Sequence, residues 1–399
     1  MIPFIDAIQE VLKSTQNYGQ ELINLDESVG RILDEDIFAD RDFPPFNRAT
    51  KDGVAIKFES FESQKQTFKV LGIAQAGSPQ LTLTDPSGCI EVMTGAIVPA
   101  NADTVIMYEH AVIEKDTVSI LENIKKGQNI HYAGSDTQQN EILLKSGIPI
   151  TASEIGVLAS VGKSKVLVKK LPKIAIVATG NELVEVNEKP LPYQIRKSNS
   201  HTLNALLQDE KIISDSYHIP DEPSTLKEKL EILSDQYDVL VLSGGVSKGK
   251  YDFLPETFEA LGVEKIFHKV LQRPGKPFWF GEHQAKKTII FAFPGNPVST
   301  FVNYHVYFKP WLNKTLGITT QHFTVFLNEP IVNKTDLMLF VGVKTHMENG
   351  LLYASTIKTT GSGDLVSLSK IDGFIQLKPK QELSESGQNV PFIPTRRII

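Results

Sequence analysis

The sequence has little cysteine and no long apolar run. Its 399 residues include one cysteine, Cys89, which excludes a disulfide framework, a CxxC redox pair and a thiolate metal cluster within one chain. No apolar stretch approaches the roughly 18 residues of a transmembrane helix, and the N-terminus lacks the basic region of a secretory signal. These absences predict a soluble protein of the reducing cytoplasm.

Positive charge is not in excess either. The chain has 41 lysine and arginine residues against 47 aspartate and glutamate residues, which gives a formal net charge of −6. This balance argues against a protein dedicated to nucleic acid or to a membrane surface. A content of 41% hydrophobic and 22% charged residues is typical of a globular protein and excludes intrinsic disorder. Because one core rarely grows beyond roughly 250 to 300 residues, we expect about two to four domains.

Common catalytic signatures are also missing. The nine histidines form neither an HExxH motif nor an i,i+4 pair, so we do not expect a zinc centre. The stretch Gly244-x-x-x-x-Gly249-Lys250 nearly matches a P-loop, but Tyr251 follows it, and a rigid phenol cannot replace the short hydroxyl that binds Mg²⁺. Cys89 lies in an apolar strand pattern and is interpreted as a core residue rather than a nucleophile.

The first 170 residues contain several segments with different sequence patterns. Helical spacing of apolar residues predicts helices over residues 4–12 and 26–33. Pro44 and Pro45 then interrupt helical structure, and we place a domain boundary there. Short β-type runs separated by Gly, Pro, Asn and Asp predict a β-rich domain up to about residue 150. Thr151 and Glu154 form a capping box that begins another helix, which Gly162 stops.

From residue 171 onward, apolar strands alternate with helices. The pattern predicts strands at 173–178, 216–219, 239–242, 266–270 and 288–293, with helices at 200–210, 223–234, 254–261 and 298–312. Nearly all-apolar strands joined by helices indicate a parallel, doubly wound sheet that is covered on both faces. Residues 323–393 return to alternating runs, which favour a small β-domain or barrel.

The expected fold is therefore a multidomain α/β plus β protein. Its centre is an αβα doubly wound domain, accompanied by a β-rich inserted domain, a small helical and extended linker domain, and a C-terminal β-barrel-like domain. The predicted boundaries are 1–45 plus 147–170 for the linker domain, 46–146 for the inserted domain, 171–318 for the αβα domain and 319–399 for the C-terminal domain.

Ligands bind to such a sheet at the carboxyl ends of its strands, so the turns there form the candidate site. Three turns combine glycine or proline with small polar residues: Thr179-Gly180-Asn181-Glu182, Ser243-Gly244-Gly245-Val246-Ser247 and Pro294-Gly295-Asn296-Pro297. The second turn lets backbone N–H groups approach an anion without obstruction by Cβ atoms, which is typical of a phosphate or carboxylate cradle. A tight strand-to-helix turn without a ligand is the alternative interpretation.

Charged residues beside these turns extend the candidate site. Glu182 and Asp252 are expected near the same anion, where two carboxylates suit Mg²⁺; ordinary helix capping is the alternative. Arg273 and Lys276 flank a stiff Pro-Gly turn that suits an oxyanion, although an exposed β-turn has the same sequence pattern. Pro297 also suits the first position of a helix.

In this order and spacing the motifs resemble the MoeA family of molybdopterin molybdenumtransferases, which includes the E domain of gephyrin. The resemblance covers essentially the whole chain. It rests on the three turns above and on Pro44-Pro45-Phe46, Lys51-Asp52-Gly53-Val54-Ala55, Met93-Thr94-Gly95-Ala96, Pro274-Gly275-Lys276-Pro277 and Thr360-Gly361-Ser362-Gly363.

The resemblance implies a molybdopterin-binding αβα domain, a homodimer whose linker domain serves dimerisation, and an active cleft that includes domains of the partner copy. It also implies the last step of molybdenum cofactor synthesis, in which adenylyl-molybdopterin and molybdate, with Mg²⁺, give molybdenum cofactor and AMP. Possible protein partners are molybdopterin adenylyltransferase and molybdoenzymes, with no role for nucleic acid or membrane.

Site residues follow from the same resemblance. The catalytic set is Asp52, Asp136, Glu182, Asp221 and Asp252. Glu182, Asp221 and Asp252 are also the expected Mg²⁺ ligands. The substrate-binding set is Thr94, Thr179, Gly180, Ser243, Gly244, Gly245, Val246, Ser247, Arg273, Lys276, Pro277, Pro294, Pro297 and Ser362.

Three positions depart from the usual family pattern. Asn181 replaces an aspartate of the TGDEL motif and removes a negative charge beside the expected metal. Arg273 replaces the first lysine of KPGK, which keeps the charge but changes a point charge into a planar fork. Gly342 lies where relatives often carry arginine in the C-terminal domain.

Three other functions stay open at this point. The αβα domain type also serves molybdopterin adenylyltransferases, and the gephyrin E domain also acts as a non-catalytic assembly module. A P-loop NTPase is the remaining alternative.

Overall fold

The computed structural model describes residues 1–63, 65–246, 252–383 and 387–396. The chain divides into two compact units. The larger unit comprises Met1–Ile23, Gly30–Asp34 and Leu167–Ile399, and the smaller unit comprises Asn24–Val29 and Glu35–Val166. Ser247 of the expected site, and the P-loop candidates Lys250 and Tyr251, lie outside the described residues. None of the helices in the described ranges combines the length and the apolar character needed to cross a membrane.

The smaller unit is built around a six-stranded sheet. In spatial order its strands are Thr104–Met107, Gly53–Ile56, Gly88–Val92, Thr67–Ala74, Thr117–Ile120 and Ala111–Glu114. Central strands bury both faces: Ala55 and Ile90 face one apolar cluster, whereas Val54 and Cys89 face another. Cys89 is a fully buried core residue, as predicted. Short antiparallel pairs join Ile37–Phe38 to Ile142–Leu144 and Arg48–Ala49 to Ile130–His131.

The short helices of this unit show one prediction confirmed and one wrong. The capping box begins helix Ala152–Ser160, because Thr151 N–H donates to Glu154 Oε2 at 2.7 Å and the Thr151 hydroxyl accepts from the Ser153 N–H. The helix predicted over 26–33 is only a 3₁₀ turn, Leu25–Glu27. Gly30 has a φ of +86°, a conformation that no right-handed helix continues through. The remaining helical segments are Phe58–Glu62 and the 3₁₀ turn Tyr108–His110.

The larger unit contains the predicted central sheet. In spatial order its strands are Ser214–Ile219, Ile174–Thr179, Val239–Ser243, Thr288–Phe293, Trp279–His283 and Glu264–His268. The first four are parallel. Trp279–His283 was not predicted, and it is antiparallel to Thr288–Phe293. A connection of only a few residues joins these two strands, and such a hairpin can only be antiparallel; the sheet is therefore mixed at one edge.

Helices cover both faces of this sheet. They are Phe4–Lys13, Ser198–Asp209, Pro223–Gln236, Leu254–Ala260, Pro297–Asn303 and Lys309–Thr315, and the π-helical turn Tyr304–Phe308 joins the last two. One face buries a cluster rich in aromatic residues, including Phe278, Phe291 and Trp311. The other face buries Leu226, Phe258 and Trp279 with their neighbours. Each fully buried side chain of this size contributes about 1.5–3 kcal/mol, so the two clusters fix the sheet and the turns that follow its strands.

The C-terminal part of the larger unit is a closed five-stranded barrel, as predicted. Its strands, in order around the ring, are Met338–Glu348, Leu351–Thr356, Phe323–Leu327, Asn389–Pro394 and Gly373–Leu377. The interior is filled by apolar residues such as Val325, Val343 and Ile375. A short strand, Gln272–Arg273, pairs in parallel with the start of Met338–Glu348, so the sequence following the αβα sheet is tied to the barrel edge.

Candidate active site

A large cleft lies at the carboxyl ends of the parallel strands in the larger unit. Its volume is about 1430 Å³. The turns after Ile174–Thr179, Val239–Ser243 and Thr288–Phe293 line it, together with residues 272–277 and 359–363. This is the position at which open α/β sheets bind ligands. All the predicted site residues of the larger unit that the structure describes lie along this cleft, whereas their chemical roles remain a prediction.

The turn Ser243–Val246, which we call the glycine-pair turn, approaches the preceding loop closely. Gly244 has a φ of +106°, and a Cβ atom there would lie 2.6 Å from the Thr179 carbonyl oxygen. Gly245 has a φ of +69°, and a Cβ atom there would lie 2.9 Å from the Thr179 hydroxyl. Thr179 is buried, and its hydroxyl has no hydrogen-bond partner in the described part of the chain. Thr179 also lines the cleft, and its hydroxyl oxygen is itself buried beside the glycine-pair turn.

Two histidines contact backbone carbonyl groups of the turns that line the cleft. His218 Nε2 lies 2.9 Å from the Gly180 carbonyl oxygen, and His268 Nε2 lies 2.9 Å from the Val246 carbonyl oxygen. Burial lowers the pKa of His268, so its ring is neutral at physiological pH and donates through Nε2. The sequence showed no signal for either contact, because a histidine that supports a carbonyl group has no characteristic spacing.

Three acidic side chains line the cleft on one side: Glu182, Asp221 and Asp252. Burial, and after it the negative charge of Glu182, raises the pKa of Asp221, and Asp252 acts in the same direction. The Asp221 N–H donates to Asn181 Oδ1 at 3.1 Å, so Asn181 orients the loop that carries Asp221. Within the described ranges no three His, Cys, Asp or Glu side chains are close enough to enclose a metal ion without further ligands.

Positive charge in the cleft comes from the turn Arg273–Lys276, which we call the basic turn. Arg273 and Lys276 line the cleft, and neither has an ion pair or side-chain hydrogen bond in the described part of the molecule. Two further cations in the cleft, Arg196 and Lys197, were not predicted. Lys197 forms an ion pair with Glu185, and Arg196 Nε donates to the Glu188 carbonyl oxygen at 3.1 Å, so both of these cations have partners, unlike those of the basic turn in the described residues. The available signal was the Arg-Lys pair directly before helix Ser198–Asp209.

The barrel contributes polar and apolar groups rather than charge. Gly342 lines the cleft, whereas Lys344 forms an ion pair with Asp372 at 2.8 Å and is not part of the lining. No lysine or arginine of the described barrel residues borders the cleft. Ser362 does border it, and its hydroxyl accepts a hydrogen bond from Asn296 Nδ2 at 2.9 Å. The loop of Ser362 is thereby joined to the turn that contains Pro294 and Pro297.

The prolines shape the third turn. Pro297 begins helix Pro297–Asn303, as predicted from its fixed φ. The Pro294 carbonyl oxygen accepts from the Thr300 hydroxyl at 2.7 Å, which closes the turn against the helix. Pro277 lies at the end of the basic turn and also lines the cleft.

Asp52, Thr94 and Asp136 belong to the smaller unit. The Thr94 N–H donates to Asp52 Oδ1 at 2.6 Å, and this hydrogen bond lowers the pKa of Asp52. Asp136 Oδ1 lies 2.8 Å from His131 Nε2. Asp52 and Thr94, which belong to two separate sequence motifs, are therefore in contact, and the function of all three residues remains a prediction.

Comparisons with known proteins decide the family. Three family models match consecutive parts of the chain: the MoeA N-terminal region (domains I and II) at residues 2–162, a probable molybdopterin-binding domain at 175–314, and the MoeA C-terminal region (domain IV) at 327–395. A Synechocystis protein named molybdopterin molybdenumtransferase is 37% identical over 98% of this chain and 99% of its own length. The chain belongs to the MoeA family.

Solved structures agree with this assignment. A MoeA protein of molybdopterin biosynthesis from Pyrococcus horikoshii has 29% identity, covers 99% of this chain and 100% of its own, and superposes with a TM-score of 0.83. A relative from Staphylococcus epidermidis, also named molybdopterin molybdenumtransferase, is 34% identical over 78% of this chain and 75% of its own length.

The three positions that depart from the MoeA pattern have different structural surroundings. Asn181 accepts a hydrogen bond from the Asp221 N–H through its amide oxygen, and it does not itself line the cleft. Arg273 retains the positive charge of the basic turn. Gly342 is closely packed at the barrel side of the cleft, because an added Cβ atom there would lie 2.9 Å from Ile371 Cγ2.

Proposed function

We propose that this MoeA-family protein inserts molybdenum from molybdate into adenylyl-molybdopterin, releasing AMP and forming molybdenum cofactor. The observation that carries the proposal is the cleft of the larger unit, in which a glycine-pair turn, three carboxylates and an unpaired basic turn lie together. A nucleotide-linked pterin presents phosphate groups and an adenylate, and molybdate is a tetrahedral dianion. The cleft supplies groups of the matching chemistry for each.

In this proposal the chain binds and orients two anionic substrates. The glycine-pair turn would hold phosphate oxygens through hydrogen bonds. Arg273 and Lys276 would attract molybdate and hold it beside the dithiolene sulfurs of the pterin. Positioning and charge neutralisation would supply most of the rate enhancement, because little proton transfer is needed at the side chains of this cleft.

The carboxylates fit a magnesium ion. Burial, and after it the negative charge of Glu182 and that of Asp252, raises the pKa of Asp221, and a bound cation would relieve this environment. Mg²⁺ commonly uses one or two carboxylates together with substrate phosphates rather than a cage of protein ligands, which suits a cleft without an enclosed metal cluster in its described residues. When bound there, the ion would neutralise and polarise the phosphate groups.

The proposal extends to the rest of the molecule. We infer a cytoplasmic homodimer, divided into the four domains given by the sequence, in which Asp52, Thr94 and Asp136 take part in the reaction. Molybdopterin adenylyltransferase and molybdoenzymes are the proposed protein partners. Sedimentation of the purified protein tests the dimer: a monomer at micromolar concentration would contradict it.

Reconstitution tests the reaction. The purified protein is supplied with adenylyl-molybdopterin, Mg²⁺ and either molybdate or tungstate, and AMP and the metal-containing pterin are measured. We expect both products with the wild type and no AMP release with Asp252→Asn, whose fold and dimer stay intact. Asp235→Asn is the matched control, because Asp235 pairs with Lys286 and does not line the cleft.

Two results would contradict the proposed function. Wild-type protein that releases no AMP under these conditions excludes it. Accumulation of adenylyl-molybdopterin from molybdopterin and ATP would instead indicate an adenylyltransferase.

A further inference from the structure

A buried polar cluster lies directly behind the basic turn. Its members are Gln272, Asn303 and Tyr307, and all three are completely buried. The cluster is surrounded by aromatic side chains: Tyr307 packs against Phe278 with ring centroids 4.7 Å apart. Buried amides in an apolar environment are unfavourable unless each polar group has a partner, so the partners of this cluster indicate what it does.

The amide side chains of the cluster donate hydrogen bonds to backbone carbonyl groups of the basic turn. Gln272 Nε2 donates to the Pro274 carbonyl oxygen and to Asn303 Oδ1, both at 2.9 Å. Gln272 Oε1 accepts from the Tyr307 hydroxyl. Asn303 Nδ2 donates to the Gly275 carbonyl oxygen at 3.3 Å. The two consecutive carbonyl groups between Arg273 and Lys276 are therefore both held from behind.

Close packing adds to these hydrogen bonds. Gly275 has a φ of +87°, and a Cβ atom there would lie 2.2 Å from Asn303 Oδ1 and 2.7 Å from Gln272 Nε2. The Gly275 N–H donates to the Ser299 hydroxyl at 3.2 Å. The turn thus rests on the cluster without a gap, and its backbone cannot shift toward the protein interior.

The cluster also links three parts of the larger unit. Gln272 belongs to the short strand paired with the barrel strand Met338–Glu348. Asn303 ends helix Pro297–Asn303, which begins at the third cleft turn, and Tyr307 lies in the π-helical turn that follows. The basic turn is therefore held between the barrel edge and a helix that starts in the cleft.

We propose that Gln272, Asn303 and Tyr307 are positioning residues that fix the basic turn for oxyanion binding. This inference rests on the proposed function, since the oxyanion is one of its substrates. Arg273 and Lys276 lack ion-pair partners in the described chain, so their side chains are not held by other side chains. The cluster fixes the backbone beneath them and limits the freedom that is lost when a dianion binds.

A positioning role predicts that loss of the cluster weakens the binding of one substrate, whereas a general loss of stability would weaken the binding of both. Loss of the cluster should weaken oxyanion binding while the pterin-nucleotide, which the glycine-pair turn would hold, still binds. Gln272→Leu removes all three side-chain hydrogen bonds of Gln272, and Tyr307→Phe removes one and keeps the ring. Thr288→Val is the matched control: Thr288 is fully buried and donates to the Ser234 carbonyl oxygen at 2.8 Å, at the far end of the strand that leads to Pro294.

The experiment measures affinity, kinetics and backbone protection in the full-length protein. Calorimetry gives the Kd of molybdate and of adenylyl-molybdopterin, steady-state assays separate KM for molybdate from kcat, and hydrogen exchange follows residues 272–278. For Gln272→Leu we expect the molybdate Kd and KM to rise about tenfold or more, which corresponds to the loss of one or two hydrogen bonds. For Tyr307→Phe we expect a rise of about three- to fivefold. The pterin-nucleotide Kd should change less than about twofold, and Thr288→Val should change none of these values.

Hydrogen exchange and molybdate affinity together test this inference separately from the proposed function. Faster exchange of 272–278 together with weaker molybdate binding supports the inference. Unchanged exchange, unchanged molybdate affinity, or equal losses for both substrates would overturn it, and Tyr307→Phe decides the matter if Gln272→Leu does not fold. A wild type that binds no oxyanion and releases no AMP would reject the proposed function and the oxyanion role with it, whereas exchange would still show whether the cluster fixes the turn.

Discussion

Asn199 joins two of the cleft turns through one side chain: its Nδ2 donates to Ser243 Oγ at 2.8 Å and to the Gly295 carbonyl oxygen at 2.7 Å. Ser243 begins the glycine-pair turn, and Gly295 lies in the turn between Pro294 and Pro297. The two turns follow neighbouring parallel strands, and the Gly244 N–H donates to the Phe293 carbonyl oxygen at 3.1 Å where the strands end. The amide of Asn199 adds a second connection, which reaches Gly295 in the following turn.

Replacing Asn199 by alanine is expected to loosen the cleft without unfolding the protein. Two hydrogen bonds are lost, and each contributes about 0.5–1.5 kcal/mol, so we expect kcat/KM for AMP release to fall about 10- to 100-fold. Asn204→Ala is the control, because Asn204 lies on the same helix and accepts from the Ser214 hydroxyl at 2.9 Å, away from the cleft. Steady-state rates of the two variants, with melting temperatures, check the prediction. Equal rates in both variants would contradict it.

Asn199 also shows what the sequence cannot reveal. The turns at the carboxyl ends of the strands were predictable, because apolar runs end abruptly in glycine, serine or proline and parallel strands share one edge. The amide of Asn199 reaches partners 44 and 96 residues away, and no periodicity records such a contact. Gln272 is similar: next to Arg273 it looks like an ordinary polar residue, and only tertiary packing makes it fully buried.

The errors in the fold have a related cause. Trp279–His283 was missed because its short apolar run follows the proline-rich basic turn, and only its pairing with Thr288–Phe293 identifies it as a strand. The barrel and the alternating strands and helices were predicted because each rests on a repeated pattern over many residues. Single strands and single side-chain contacts depend on tertiary structure, so they were the parts that sequence reasoning could not supply.

Gly244→Ala should destabilise the larger unit more than Gly295→Ala. Gly244 has a φ of +106°, and its added Cβ atom would meet the Thr179 carbonyl oxygen at 2.6 Å, whereas the nearest atom to a Cβ at Gly295 is 3.7 Å away. We expect a loss of about 1–3 kcal/mol in the free energy of unfolding for Gly244→Ala and less than about 0.5 kcal/mol for Gly295→Ala. Urea denaturation followed by tryptophan fluorescence measures both, since Trp279 and Trp311 both lie in the larger unit. Similar losses in the two variants would show that the glycine-pair turn is not sterically constrained.

His305 predicts how stability depends on pH. The ring is 6% exposed, packs against Phe301 with centroids 4.6 Å apart, and has no hydrogen-bond partner for either nitrogen among the residues described. Burial, and after it the nearby charge of Lys309, lowers the pKa of His305 to about 3. In the unfolded chain a histidine has a pKa of about 6.5.

The direction of the effect follows from proton counting. Between pH 6.5 and 3 the unfolded state binds a proton on His305 that the folded state does not, so the free energy of unfolding falls as the pH falls through this window. One such group changes stability by about 1.4 kcal/mol per pH unit well below pH 6.5 and by about half of that at pH 6.5, or by about 2 kcal/mol in total between pH 6.5 and 4.5. His305→Phe keeps an aromatic ring and removes the titrating group, so the free energy of unfolding of this variant should decline less over this range by about that amount.

His346→Gln, at a half-exposed histidine of the barrel, is the control and should keep the wild-type slope. Urea denaturation at pH 6.5, 5.5 and 4.5 compares the three proteins, and a His305→Phe variant that loses stability in parallel with the wild type would assign the acid sensitivity to other groups.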